Sequence, residues 1–211
     1  MTDALPFRNL VRAVDSVAPE AAAIEEAVGV LRVGELVAFP TETFYGLGAA
    51  VRDVGAVRRV FQVKGRPSSM PLLLLVDSPA MVERFAADVP RRARELMDRY
   101  WPGALTLVLR AGRDVPPEVT AGTGSVGFRL PAHAVPRALV SALGQPVTAP
   151  SANRTGAPPP TTAADVVHVL GGSLGLVLDG GPTPGGAPST VLDVTVDPPR
   201  VIRQGAVTVC L

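Results

Sequence analysis

Lys64 is the sole lysine of a chain that carries 19 arginines, and it sits in the run Lys64-Gly65-Arg66-Pro67. An ammonium is a compact point charge that can reach between phosphate oxygens, whereas a guanidinium forks across them. One of each in a single loop suits an anionic ligand such as a nucleotide phosphate, and would equally suit a solvated turn. Pro40-Thr41-Glu42-Thr43-Phe44-Tyr45-Gly46-Leu47-Gly48 crowds hydroxyls and a carboxylate onto a turn, with glycines that let backbone approach a ligand. A decorated β-turn would read the same way. Ala149-Pro150-Ser151-Ala152-Asn153-Arg154-Thr155-Gly156 places Ser151 and Asn153 two apart between a proline and a glycine, a pattern suited to an anion-binding turn. Arg129 lies inside the apolar run Gly127-Phe128-Arg129-Leu130-Pro131, where a charge is expensive unless paired. A bound carboxylate or an internal Asp or Glu would each serve as the partner. Ser189-Thr190-Val191 and Arg203-Gln204-Gly205 complete the candidate clusters.

Other chemistries lack their residues. His133 and His168 are isolated and without metal-ligand spacing, and Cys210 stands next to the last residue with no catalytic partner in view. There is no Walker A motif and no Gly-x-Gly-x-x-Gly following a strand. No nucleophile–base pair can be assembled, which leaves reactions driven by positioning and charge, phosphoryl or nucleotidyl transfer among them.

These segments need elements to hold them. Pro19 opens a helix expected to run to about Val33, closed by Gly34, and Leu36 to Phe39 follows as a short strand. Asp53 is the expected N-cap of a second helix, with the Lys64–Pro67 run just after it, and Leu72 to Val76 reads as a strand buried on both faces. Helices are expected over 78–86, 90–100, 135–143 and 162–170, the last with a Thr162/Asp165 capping box. Strands are expected over 105–109 and 126–130, near 147 and 176, and over 190–194, 200–203 and 207. Residues 1–18 read as an extended or frayed lead-in to a domain spanning 19–211. Helices and strands mix without strict βαβ alternation, so the fold class is α/β: a single domain with a mixed, twisted open sheet flanked by helices. The loops at 111–125, 154–161 and 180–188 are candidates to line a site.

Bulk properties narrow the partners. A net charge of +1, from 20 basic and 19 acidic side chains, argues against coating nucleic acid by electrostatics alone, although a local basic cleft fits. One cysteine fits a reducing compartment, and residues 1–30 show no basic region followed by an apolar stretch, so a cytoplasmic protein is expected.

Seven segments together resemble the threonylcarbamoyl-AMP synthase family, the YrdC-like domain. They are residues 39–48, 64–67, 101–109 (Trp-Pro-Gly-Ala-Leu-Thr-Leu-Val-Leu), 127–131, 149–156, 188–193 and 203–206, in the family's order. The resemblance implies that the sheet curves around a deep, positively lined concave cleft. It implies formation of threonylcarbamoyl-AMP and pyrophosphate from L-threonine, bicarbonate or CO2, and ATP, for threonylcarbamoyladenosine modification of tRNA. Carried over, Lys64 and Arg66 would be catalytic and, with Ser151, Asn153 and Arg203, would hold the ATP phosphates. The segments at Met70, Ser125 and Pro159 would add mostly backbone nucleotide contacts. Threonine would be held by Thr43, Arg129, Ala149 and Ser189, with Arg129 on its carboxylate. Magnesium would arrive on ATP, with no metal ligand from protein side chains. Implied partners are a downstream threonylcarbamoyl transferase complex acting on tRNA, and a tRNA or double-stranded RNA contact, with no membrane. Many members carry Asn and His where this chain has Met70 and Leu75, which leaves the amino-acid selectivity open. The chain resembles the short, single-domain form. Two other readings stay open: a paralogue of the same fold acting on another acceptor, such as a carbamoyl-adenylate enzyme, and an RNA-binding module.

Overall fold

The computed structural model describes residues 10–210 as ten strands and seven α-helices, numbered in chain order. The strands form two ladders. Four of them make one sheet in the order β1 (Val11–Ala13), β8 (Leu176–Asp179), β2 (Val37–Phe39), β3 (Gly46–Gly48). Six make the other: β10 (Arg200–Arg203), β9 (Thr190–Asp193), β5 (Leu105–Arg110), β6 (Ser125–Arg129), β4 (Leu73–Leu75) and β7 (Val147–Thr148). Both are mixed: β2 runs parallel to β8 and antiparallel to β3, and β6 runs antiparallel to β5 and parallel to β4.

The two ladders join where β3 meets β7. Thr148 N–H donates to Ala49 O (3.0 Å), Leu47 N–H to Pro150 O (2.8 Å), and Ala152 N–H to Tyr45 O (2.8 Å). Thr148 Oγ1 bonds both Leu47 O and Ala49 N, so a buried hydroxyl pins the seam. The two ladders thus form one continuous wall, and the turns at residues 40–48 and 149–156 line the cavity it encloses.

Helices cover the outer faces. α1 (Ala21–Arg32) buries Ala23, Ile24, Ala27, Val28 and Leu31, an i, i+3/i+4 stripe. α2 (Val54–Lys64) starts where Asp53 accepts the Ala56 N–H (2.9 Å) and stops at Gly65, whose φ of +57° is the left-handed conformation glycine tolerates. Lys64 is thus the last residue of a helix, and Arg66 emerges beyond the turn. α3 (Pro79–Phe85), α4 (Arg91–Tyr100), α5 (Pro117–Thr120) and α6 (Ala134–Leu143) follow, then α7 (Ala163–Leu170), capped by Thr162, whose Oγ1 accepts the Asp165 N–H and donates to Asp165 Oδ2.

Four expectations need correction. Residues 11–13 are a strand paired with β8 rather than a frayed lead-in, and residues 1–9 lie outside those described. α1 begins at Ala21 rather than Pro19, with Glu20 at the cap making no side-chain cap bond. Gly46–Gly48 is a strand despite its glycines, because it lies flat on Phe39: a Cβ at Gly48 would stand 2.7 Å from the Phe39 ring. Val207 belongs to no strand, because its N–H and C=O both bond Thr190 Oγ1.

Candidate functional site

A cavity of about 990 Å³ opens against the wall formed by the two ladders. Ten of the twelve expected site residues line it: Arg66, Ser125, Ser151, Asn153, Pro159 and Arg203 from the nucleotide set, with Thr43, Arg129, Ala149 and Ser189 from the threonine set. The other two stand apart. Met70 is exposed, and its contribution is a carbonyl that accepts from Arg66 Nε (3.1 Å). Lys64 lies directly behind the lining.

Lys64 is 3% exposed, and its ammonium donates to Ser151 O (2.5 Å) and Asn153 O (2.6 Å), with Asn153 Oδ1 at 3.5 Å. Its own carbonyl accepts from Thr155 N–H (2.7 Å), so α2 and the 151–155 turn grip one another. The turn is closed internally: Ser151 Oγ donates to Asn153 Oδ1, and Asn153 Nδ2 to Arg154 O and Ala157 O (2.7 Å). Burial, and then the charge of Arg66, push the Lys64 ammonium down to about 8. Arg66 is anchored through Nε and Nη2 to Met70 O and Pro71 O (2.8 Å), which leaves Nη1 for the cavity. Burial lowers its basicity too, but a guanidinium stays charged.

On the opposite wall, Arg129 is 4% exposed at the end of β6. Its Nε donates to Gly103 O (3.2 Å), and its Nη2 approaches Glu42 Oε1 at 2.7 Å. That approach is an ion pair rather than an aligned hydrogen bond, since Arg129 Nη2 and Glu42 Oε2 are both buried without a hydrogen-bond partner. Burial pushes the Glu42 carboxyl up, but the Arg129 charge and the Ala132 N–H outweigh it and hold the group below its ordinary value. The partner of Arg129 in the protein alone is therefore Glu42, the internal carboxylate that remained one of two options from the sequence.

Beside this pair, Thr41 Oγ1 donates to Phe44 O (2.7 Å), accepts from Thr43 N–H (3.1 Å) and touches Thr43 Oγ1 (3.1 Å). Thr41 spends its single hydrogen on a carbonyl, so Thr43 cannot receive it and keeps acceptor capacity toward the cavity. Arg203 donates through Nε and Nη2 to Ser189 O (3.1 and 2.8 Å). Gly185 N–H donates to Thr43 O (2.8 Å), and Tyr45 hydroxyl to Gly181 O (2.8 Å), which ties the 180–188 loop to the rim.

Residues 29–205 match the Sua5/YciO/YrdC family model, described as Telomere recombination. The chain belongs to this family. It is 43% identical over 202 residues to the threonylcarbamoyl-AMP synthase of Bacillus subtilis, covering 95% of this chain and 58% of that one. The Pyrococcus abyssi Sua5 structure complexed with L-threonine superimposes with a TM-score of 0.90 at 42% identity, covering 93% of this chain and 58% of that one. Escherichia coli YciO superimposes with a TM-score of 0.85 at 26% identity, covering 92% of this chain and 95% of that one. The chain thus spans little more than half the length of the B. subtilis and P. abyssi relatives.

The Sua5/YciO/YrdC fold is the mixed α/β domain with a concave cleft that the seven segments implied. Its site holds residues that the sequence reading passed over. Thr41 and Glu42 sat inside a quoted motif without a role, and Glu42 is the partner that Arg129 required. Thr106 lines the cavity from β5, and its signal was the one given by Arg129: a polar residue at a buried position of an apolar strand. Asp193 and Arg200 pair across β9 and β10 at 3.3 Å, a contact visible only once the strands are in register.

Proposed function

We propose that this domain forms threonylcarbamoyl-AMP and pyrophosphate from L-threonine, bicarbonate and ATP, as a nucleotidyltransferase serving tRNA modification. The observation that supports this best is one cavity with two unlike ends. A braced anion turn with Arg66 at one end suits phosphates, and a buried guanidinium with an acceptor hydroxyl at the other suits an amino acid. The names of the synthase relatives point the same way.

In this mechanism, threonine's carboxylate lies on Arg129, and its amine faces Thr43 Oγ1, which accepts from it. The amine, losing its protons, takes up the carbon of bicarbonate with release of water, giving a carbamate. A carbamate oxygen then attacks the α-phosphorus of ATP, and the bond to the β-phosphate oxygen breaks to release pyrophosphate. Arg66 and the 151–155 turn hold the triphosphate in line, while Lys64 fixes that turn from behind. Positioning and fixed charge carry such a transfer, with no covalent enzyme intermediate. In this proposal magnesium enters as Mg–ATP, a substrate. The product would pass to a transferase that acts on tRNA. The proposed reaction runs in the cytoplasm; no helix among the described residues is long and apolar enough to cross a membrane.

The test is pyrophosphate release from Mg–ATP and bicarbonate with threonine, serine or no amino acid. Threonine-dependent release is expected. ATP binding without release for any amino acid would overturn the proposal.

A further inference from the structure

The last strand falls out of step with its neighbour. Along β10, Arg200 pairs with Asp193 and Val201 with Leu192, but Arg203, not Ile202, pairs with Val191. Ile202 is therefore an extra residue, a β-bulge. Residues paired across an antiparallel ladder share a face, and Val191 lines the cavity. The bulge thus turns Arg203 into the cavity. An unbroken ladder would pair Arg203 with Thr190, which by alternation lies on the opposite face.

β10 has little else to fix its register. It is an edge strand of the six-stranded sheet, and all four of its residues are exposed. The hold comes from Thr190, which is fully buried. Its Oγ1 donates to Val207 O (2.5 Å) and accepts from Gly205 N–H (3.0 Å) and Val207 N–H (3.2 Å), which uses the whole capacity of a hydroxyl. Ala206 N–H donates to Pro188 O (2.9 Å), and the exposed Gln204 donates through Nε2 to the Val207 carbonyl (2.9 Å). The turn lies so close to β9 that a Cβ at Gly205 would stand 2.1 Å from Pro188 O. A slip of one residue in β10 would pull the 205–207 turn off all of these partners.

We propose that Thr190 is a positioning residue for the reaction: its hydroxyl clasps the 205–207 turn and so keeps the bulge that aims Arg203 at the ATP phosphates. This rests on the synthase reading, in which Arg203 holds phosphate, and adds what places that arginine. Thr190 itself touches no substrate, because its side chain faces away from the cavity.

Thr190→Val keeps the shape and removes the hydroxyl, whereas Thr190→Ser keeps the hydroxyl. Isothermal titration with magnesium and a non-hydrolysable ATP analogue reads the aim of Arg203 without turnover. Thr190→Val should weaken analogue binding about 10–100-fold, as expected for a lost bond to a charged group, and Thr190→Ser should stay within a few-fold of wild type. The loss should vanish in an Arg203→Ala background, where no guanidinium is left to aim. Losses that add in the double variant would reduce Thr190 to a purely structural role and overturn the proposal, as would unchanged affinity in Thr190→Val. Should Thr190→Val not fold, Gln204→Ala carries the same test from the surface. It should cost a few-fold in affinity with Arg203 present and nothing without it; any other pattern overturns the clasp. A wild-type protein that binds the analogue but releases no pyrophosphate would sink the synthase reading alone.

Discussion

Lys64 and Arg129 are both buried cations, Arg129 in the cavity wall and Lys64 behind its opposite end, and they are stabilised in different currencies. Lys64 is held by neutral dipoles, the carbonyls of Ser151 and Asn153. Arg129 is held by a formal charge, the carboxylate of Glu42. Dipoles satisfy an ammonium's hydrogens without fully compensating its lost hydration, so the proton of Lys64 becomes easy to remove. A carboxylate keeps its cation charged and is itself kept ionised in return. The phosphate end is therefore titratable near neutral pH and the amino-acid end is not.

Removing Lys64 should break the comparison most severely. Lys64→Met leaves two buried carbonyls without a donor and frees the 151–155 turn, so kcat/KM for ATP should fall about 100–1,000-fold, with threonine binding little changed. Lys64→Arg should not rescue it, because a planar fork cannot direct its hydrogens at two carbonyls of one tight turn. Isothermal titration with a non-hydrolysable ATP analogue would check both, and analogue affinity retained in Lys64→Met would refute the brace.

Glu42→Ala comes next. It strands a buried guanidinium and should destabilise the fold by about 3–5 kcal/mol in urea denaturation. Wild-type stability would mean that Arg129 needs no counter-charge.

The pH profile separates the two ends without mutation. Lys64 falls from 10.5 to about 8 in the folded protein, so kcat/KM for ATP should drop about tenfold per unit above pH 8, while the KM for threonine stays flat. Stability runs the other way. Between pH 8 and 10.5 the unfolded chain binds more protons at this residue, so its contribution to unfolding free energy rises with pH. Lys64→Met should lose that rise, and a rise that persisted would assign it to another group.

The smallest effect is expected at Ser151→Ala. Lys64 grips the carbonyl of Ser151, not its hydroxyl, so only the Ser151–Asn153 side-chain bond is lost. A change of a few-fold in the KM for ATP, measured by steady-state kinetics, would sharpen the view that backbone carries the brace.

Much of this was legible in the residues alone. The caps at Asp53 and Thr162 and the buried strand at 73–75 follow from local rules, whereas Lys64, expected just beyond the second helix, is its last residue. Arg129 could be flagged from its apolar surroundings, but its partner could not be chosen, because Glu42 lies 87 residues away and only the tertiary fold brings it near. The direction in which Lys64 points was equally hidden. A lone lysine near a phosphate turn looks like a ligand to phosphate, and only coordinates reveal that its hydrogens go to the turn's own backbone. β3 was missed because glycine's poor strand propensity was overridden by the flat face of Phe39 beneath it.

The seam between β3 and β7 has a kinetic consequence. The bonds that bring the 40–48 turn against the 149–156 turn span about a hundred residues of chain, as from Leu47 to Pro150. Closing so long a loop costs entropy before any contact repays it, so these pairings are expected to form late in folding. Until then neither end of the cavity exists in usable form, since each is built from residues on both sides of the seam. An intermediate with intact helices and separate ladders would thus be compact, largely hydrogen-bonded and wholly without affinity for substrate.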